Sequence, residues 1–263
     1  MDLGLKGKVA LVAAASRGLG RAVAEELAAE GASLVLSARG AGPLAETCGH
    51  IERTTGAAVV GVAGDVSSSE DVSRIAGTAL ERFGRVDILV TNAGGPPAGT
   101  FETLSARDWE AATRLTLTSV LELTRAVLPG MRERRWGRIL NITSIAVKQP
   151  VENLMLSNSL RAAVTGFART LADEVAADGV TVNNLLPGYT RTERVEELAH
   201  AAAAREGITA EEARALWVAE IPMRRLGEPR EFAALAAFLA SERASYITGT
   251  SITVDGGWVR SLF

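Results

Sequence analysis

Strand–helix alternation runs through these 263 residues almost from end to end, and it predicts an α/β protein. The expected architecture is a parallel sheet of about seven strands with helices on both faces. Two further observations support that class. The candidate strands are nearly continuous apolar runs, as strands covered on both faces require. The first of them passes through a glycine-containing turn into an Ala/Leu-rich helix, VALVAAASRGLG followed by RAVAEELAAEG, from Val9 onward. Glycines let a backbone approach a phosphate, and the free N–H groups and dipole of a helix start favour its charge, so this segment points to a bound nucleotide.

Taken in order, Val9–Ala13 and Ser33–Ser37 are short apolar strands on either side of a helix over Arg21–Glu30. Leu44–Thr54 has helical spacing and leads to a strand at Ala58–Ala63. Ser68, with Asp71 three residues on, looks like a capping box for a helix over Glu70–Arg82, and a strand follows at Val86–Thr91. One long helix over Ala106–Arg132 precedes a strand at Arg138–Ile142. Asn158–Ala176 is the next helix and Thr181–Leu186 the next strand.

Thr190–Arg225 is mostly helical and Ala-rich, with a second capping box at Thr209 and Glu212. An insertion just beyond a strand's C-terminal end is well placed to be a lid over a ligand crevice. Its Trp217 and Met223 offer apolar area compatible with many small carbonyl compounds. Pro229 suits the first position of a helix over Pro229–Leu239, and Ser251–Val254 is the last strand. No repeat or low-complexity linker divides the chain, so 1–263 reads as one domain with a lid at about 190–225.

Composition excludes several classes of function. The formal charge of −3 is too small for a polyanion-binding surface. The cluster Arg132, Arg134, Arg135 and Arg138 is interleaved with Glu133 and Trp136 and reads as a solvated helix end. Cys48 is the one cysteine, and His50 and His200 stand far apart, so neither a disulfide within the chain nor a metal site is expected. MDLGLKGK has no apolar run of signal-peptide length and no segment approaches a membrane span, which leads to the expectation of a soluble cytoplasmic protein.

Further motifs fall in order: GDV at Gly64–Val66, TNAG at Thr91–Gly94, NITS at Asn141–Ser144, PG at Pro187–Gly188 and YITGTSITVDGG near the C-terminus. Each is weak alone. With the turn at Ala13–Gly20 they resemble the short-chain dehydrogenase/reductase family over essentially the whole chain. The resemblance implies a doubly wound, Rossmann-like sheet and hydride transfer between NAD(P)(H) and an alcohol or carbonyl. It implies cofactor contacts from Ser16, Arg17, Gly18, Leu19 and Gly20 in the first turn, and from Asp65 and Val66 beside the adenine. Asn92, Ala93 and Gly94 would line the cofactor after the fourth strand, and Pro187 and Gly188 after the sixth. It also implies a small-molecule substrate and a homodimer or homotetramer, with no nucleic-acid or membrane partner.

Departures from the pattern are equally informative. Ala13 and Ala14 replace the family's usual Thr-Gly, so the turn must tolerate a β-carbon at position 14. Ala38 stands where an NAD-selecting member carries an acid for the adenosine ribose. Arg39 follows it, and Arg17 lies in the first turn. Two guanidiniums and no carboxylate favour NADP(H) over NAD(H), because a 2′-phosphate carries about two negative charges.

The family's tetrad is an Asn, a Ser, and a Tyr followed four residues later by Lys. Here those positions hold Thr116, Ser144, Ser157 and Arg161, so Ser144 alone is retained. Ser157 is a far weaker acid than a phenol, although it can bond a carbonyl oxygen or hold a water. Arg161 supplies charge and can hold the nicotinamide ribose, but it does not shuttle protons. Lys148 borders the expected pocket. A lysine there is ordinarily a surface charge, yet it is the best substitute proton donor near Ser144. Tyr189 is expected at the nicotinamide end, and Tyr246 in the assembly region.

The leading reading is an NADP(H)-dependent carbonyl/alcohol oxidoreductase, similar to a 3-oxoacyl reductase, with a rebuilt proton-transfer site. Two alternatives stay open. One is a catalytically silent nucleotide-binding protein or partner subunit. The other is a lyase or isomerase on the same scaffold.

Overall fold

In the computed structural model, residues 2–262 are described; Met1 and Phe263, the ends of the expected 1–263 domain, lie outside them. The strands are β1 (Val9–Val12), β2 (Ser33–Ala38), β3 (Val59–Ala63), β4 (Ile88–Thr91), β5 (Gly137–Ile142), β6 (Val180–Pro187) and β7 (Ser251–Val254). They form one sheet in the order β3-β2-β1-β4-β5-β6-β7, with every pairing parallel. The strand order reverses direction between β1 and β4, which opens a crevice at the carboxyl ends there.

Side chains alternate across the sheet, so each strand feeds two cores. Ala10, Val12, Leu34, Leu36, Ile88 and Val90 pack beneath helices α1 (Gly18–Ala29), α2 (Ala41–Thr55) and α9 (Pro229–Ala240). Leu11, Val35, Leu89 and Ile139 pack beneath α3 (Ser69–Phe83), α5 (Ser119–Glu133) and α6 (Met155–Val175). Phe232 of α9 is fully buried. Its replacement by Ala would cost about 3–5 kcal/mol.

The long helix expected over 106–132 is interrupted. It runs as α4 (Ala106–Thr113), a π-helical turn at Arg114–Thr118, and then α5. Hydroxyls compete for backbone acceptors on either side of that turn, Thr113 Oγ1 donating to the Trp109 carbonyl at 2.7 Å and Ser119 Oγ to that of Leu115 at 2.6 Å. The cap at Ser68 forms only half of the expected box. Its hydroxyl accepts from Asp71 N, but the Asp71 carboxylate turns to the Asp65 N–H and to Arg74.

The arginine cluster after α5 departs from a solvated helix end at Arg134, which bonds the Val86 carbonyl and pairs with the buried Asp87, and at Arg138. Arg138 is buried, stacks with Lys8 on the Trp136 ring and pairs with Glu242 at 3.7 Å. Burial pushes its pKa down, and Glu242 partly offsets this.

The segment 190–225 contains α7 (Glu193–Glu206) and α8 (Ala210–Glu220), the latter opened by the reciprocal Thr209–Glu212 box. Its ends are tied together, because Arg191 N donates to the Gly227 carbonyl at 2.8 Å and Gly227 N to that of Tyr189 at 3.0 Å. Tyr189 stacks on Trp217 of α8 at 4.7 Å and meets Trp258 edge-on at 6.0 Å. No described helix is long and apolar enough to cross a membrane.

Candidate active site

A cleft of about 340 Å³ opens beyond the carboxyl ends of β1, β4, β5 and β6, beneath the start of α7. Its floor is the Gly-rich turn. Ala14 there holds a left-handed φ of +49°, so the chain keeps a glycine-type conformation while carrying a β-carbon. A β-carbon on Gly20 would stand 2.4 Å from the Ala14 carbonyl oxygen and 2.9 Å from Asn92 Nδ2. That close packing draws helix α1 onto the turn. Gly18 opens α1 at φ +57°, three residues earlier than the apolar periodicity places the helix start.

These features fit a dinucleotide. Arg17, Gly18, Leu19, Asn92, Ala93 and Gly94 line the cleft together, and a β-carbon on Gly94 would meet nothing within 4 Å. Arg39 is exposed at the same cleft, directly after the buried Ala38, so no carboxylate occupies the ribose-selecting position. Gly20, Ser16, Asp65 and Val66 are not among the lining residues. Asp65 is engaged locally, accepting from Ser67 N at 2.9 Å and Ser67 Oγ at 2.8 Å.

The chemical end is built by β5, β6 and α6. Ser144 stands just past β5 in extended conformation, and its Oγ accepts from Ala146 N at 3.1 Å. The serine proton is therefore free to be donated into the cleft. Ser157 and Arg161 lie one turn apart on α6, and both line the cleft. Ser157 Oγ has no hydrogen-bond partner among the described residues. Arg161 Nη1 donates to the Ile142 and Thr143 carbonyls, each at 2.9 Å. Burial, and then repulsion from Arg194, pushes the Arg161 pKa down to about 10, which leaves it a cation at neutral pH.

Thr116 sits behind this end, on the π-helical turn. Its Oγ1 is buried without a partner among the described residues, beside a void of about 10 Å³ that Arg161, Thr91, Asn92 and Thr143 also border. That volume is close to the minimum for one water. Lys148 ends the short 3₁₀ turn after Ser144, half-buried and outside the cleft lining. Tyr189 does line the cleft beside Pro187 and Gly188. Burial, reinforced by Glu220, raises its pKa to about 12, the wrong direction for a proton donor at neutral pH.

Sequence reasoning missed Thr192, Arg194 and Glu197, all lining the cleft from the start of α7. The run PGYTRTER after β6 was the available signal, since residues just past a strand end are placed to meet a ligand.

Comparison with known proteins agrees with this geometry. A family model described as Enoyl-(Acyl carrier protein) reductase matches residues 13–259. The chain is 36% identical over 258 residues to the 3-oxoacyl-[acyl-carrier-protein] reductase FabG of Vibrio cholerae, covering 97% of this chain and 98% of that one. An L-sorbose reductase from Gluconobacter frateurii, solved with NADPH and L-sorbose, superposes with a TM-score of 0.94 at 35% identity, over 100% of both chains. A 7α-hydroxysteroid dehydrogenase solved with NADH superposes at 0.88 with 32% identity, covering 100% of this chain and 98% of that one. The chain belongs to the short-chain dehydrogenase/reductase family.

Proposed function

We propose that this protein is an NADP(H)-dependent oxidoreductase of small carbonyl or alcohol substrates, similar to a 3-oxoacyl reductase, with a rebuilt proton-transfer site. One observation carries the reading: a single cleft joins the Gly-rich turn and two cofactor-side arginines to Ser144, Ser157 and Arg161. NADPH and NADH each occur in solved relatives, so cofactor choice rests on this chain's Ala38, Arg39 and Arg17. NADPH, when bound, supplies the hydride.

The protein's own groups do the rest. Ser144 polarises the substrate oxygen through a hydrogen bond and keeps its own proton, its Oγ already accepting from Ala146 N. Arg161 fixes the cofactor ribose and stabilises negative charge developing on that oxygen. Ser157 bonds the substrate or orders a water that delivers the proton. Without a matched acid the chemical step loses about 10²–10⁴-fold relative to a site that has one. The whole chain works as one domain, with 190–225 as its lid, in a cytoplasmic homodimer or homotetramer.

Ser157 also favours a second reading, a protein that binds NADP(H) without turning it over. The deciding test follows NADPH oxidation over a panel of 3-oxoacyl thioesters, ketoses and cyclic ketones. The reductase reading expects slow turnover of some member, abolished in Ser144→Ala and reduced in Ser157→Ala. NADPH binding with no oxidation across the panel favours the silent binder. Robust activity that survives Ser144→Ala overturns the site assignment.

A further inference from the structure

The first two turns of α7 lay charged side chains across the cofactor cleft in an order that the reductase reading does not explain. Arg194 Nη2 donates to the Pro96 carbonyl at 3.0 Å, and its guanidinium covers Gly95, where an added β-carbon would lie within 2.6 Å of it. The arginine is thus fastened over the loop that follows β4. Its other end meets Glu197, Nη1 to Oε2 at 3.4 Å, while Glu197 Oε1 stands 3.9 Å from Arg17 Nη2 in the Gly-rich turn. One carboxylate of α7 therefore lies between two guanidiniums, one in the Gly-rich turn and one fastened over the loop after β4. A second, Glu193, comes within 3.7 Å of the site of an added β-carbon on Gly18, at the phosphate turn itself.

Both ion pairs are long, and their side chains are between a third and two thirds exposed, so each is worth little and exchanges easily. Arg161, in the same cleft, has no carboxylate partner among the described residues and feels Arg194 as a like charge. The cleft is lined by four arginines, Arg17, Arg39, Arg161 and Arg194, against two glutamates, Glu193 and Glu197, so cations are in surplus. A phosphate group brings more charge and more acceptor oxygens than Glu197, and bidentate guanidinium–phosphate geometry favours it further.

We infer that Arg194 is a cofactor-binding residue, a lid arginine that exchanges Glu197 for the diphosphate of the bound dinucleotide, and that Glu197 competes with the cofactor for it. The inference rests on the NADP(H) reading above. A carboxylate on the substrate presents similar chemistry, and the experiment separates the two sources.

Binding is measured by calorimetric titration of the full-length protein with NADPH and, separately, with adenosine 2′,5′-bisphosphate, which lacks the nicotinamide half and the diphosphate bridge. Arg194→Ala is expected to weaken NADPH about 10- to 100-fold and the bisphosphate much less, the loss of a charge-assisted contact. Arg194→Lys should recover part of that loss. Glu197→Gln should tighten NADPH several-fold, because it removes the competing anion. Thermal unfolding of each variant near the wild-type midpoint establishes that the fold is intact. Unchanged NADPH affinity in Arg194→Ala, including the case where KM rises only for acidic ketones, overturns the inference while leaving the cofactor reading standing. Weaker NADPH binding in Glu197→Gln overturns the competition. A wild type that binds no NADPH overturns the cofactor reading and this inference with it.

Discussion

Arg161 of α6 donates to the carbonyl of Thr143 at 2.9 Å, the residue directly before Ser144. The helix that carries Ser157 and the strand end that carries Ser144 are thereby locked together through one guanidinium. A lysine offers a compact point charge, whereas the planar guanidinium can hold two carbonyls through one nitrogen and still present its other nitrogens to the cleft. Ser144, Ser157 and Arg161 are therefore held in one structural unit.

Removing that cation should separate function from stability. Arg161→Met withdraws a side chain whose charge is already disfavoured by burial and by Arg194, but it also leaves two carbonyls without a donor. Those effects oppose each other, so the unfolding free energy should change by about 1 kcal/mol or less. NADPH affinity should fall about tenfold or more, the scale of a lost charged contact. Denaturant titration beside cofactor titration checks both. A large stability loss with intact binding would make Arg161 a structural residue.

Ala14 supplies a prediction of the opposite sign. An alanine at φ +49° bears about 1–2 kcal/mol of left-handed strain, while glycine costs about 0.4–1 kcal/mol in unfolded-chain entropy. Ala14→Gly should therefore stabilise the protein by about 0.5–1 kcal/mol, visible as a raised unfolding midpoint. Gly20→Ala should do the reverse and weaken NADPH, since its β-carbon meets backbone rather than a yielding side chain. An unchanged midpoint in both variants would show that the turn relaxes freely.

Arg39 tests the charge argument for cofactor choice. It is exposed at the cleft after Ala38, so Arg39→Glu should preserve the fold while placing a carboxylate near the 2′-phosphate position. NADPH affinity should fall far more than NADH affinity, by about tenfold or more for a reversed charge contact. Equal losses for both cofactors would remove the basis for NADP(H) selection.

Much of this layout was legible in the chain, for identifiable reasons. Val9–Val12 and Ser33–Ala38 are apolar on both faces because helices cover both, and the expected strands differ from the observed ones by two residues at most at either end. The cleft members Gly18, Asn92, Ser144, Ser157 and Arg161 were placed through the family resemblance, motif by motif, and they line one cleft. The π-helical turn at Thr116 did not show, since helical periodicity over 106–132 is silent about hydroxyls competing for particular carbonyls. Arg138 read as solvated because the Trp136 and Glu242 that shelter it meet only in the fold. For Arg194 the run just past β6 announced nearness to a ligand but not its partner, and for Glu197 no local signal existed, since α7 does not announce which charges it lays against a turn almost 180 residues earlier.

Tyr189 yields a spectroscopic test. Burial against Trp217 and Trp258, with Glu220 nearby, raises its pKa from 10.0 to about 12. The folded state thus holds the phenol proton more tightly than the unfolded state. Stability from this group is full below pH 10 and is lost as pH climbs from about 10 toward 12, where only the unfolded chain has released the proton. Absorbance at the phenolate band, wild type minus Tyr189→Phe, should show a step near pH 12 that moves to about 10 in denaturant. A native step at or below the ordinary value would restore Tyr189 as a candidate acid.

A phenol introduced at Ser157 tests the proposal of a rebuilt proton-transfer site. Ser157 is buried at the rim of a 340 Å³ cleft, so a phenol at this position can project into open space rather than into the core. In Ser157→Tyr, Arg161 one turn away supplies the positive charge that lowers a phenol's pKa, and Ser144 remains to orient the substrate oxygen. The single variant should therefore raise turnover of carbonyl substrates, and Ser157→Tyr combined with Arg161→Lys should raise it further, to a total of about 10²–10⁴-fold. The gain should appear in kcat, with NADPH affinity little altered in Ser157→Tyr, and the pH profile should acquire a new ionisation from the phenol. If either variant instead abolishes an activity the wild type possesses, Ser157 serves a chemistry other than carbonyl reduction, and the lyase or isomerase reading takes its place.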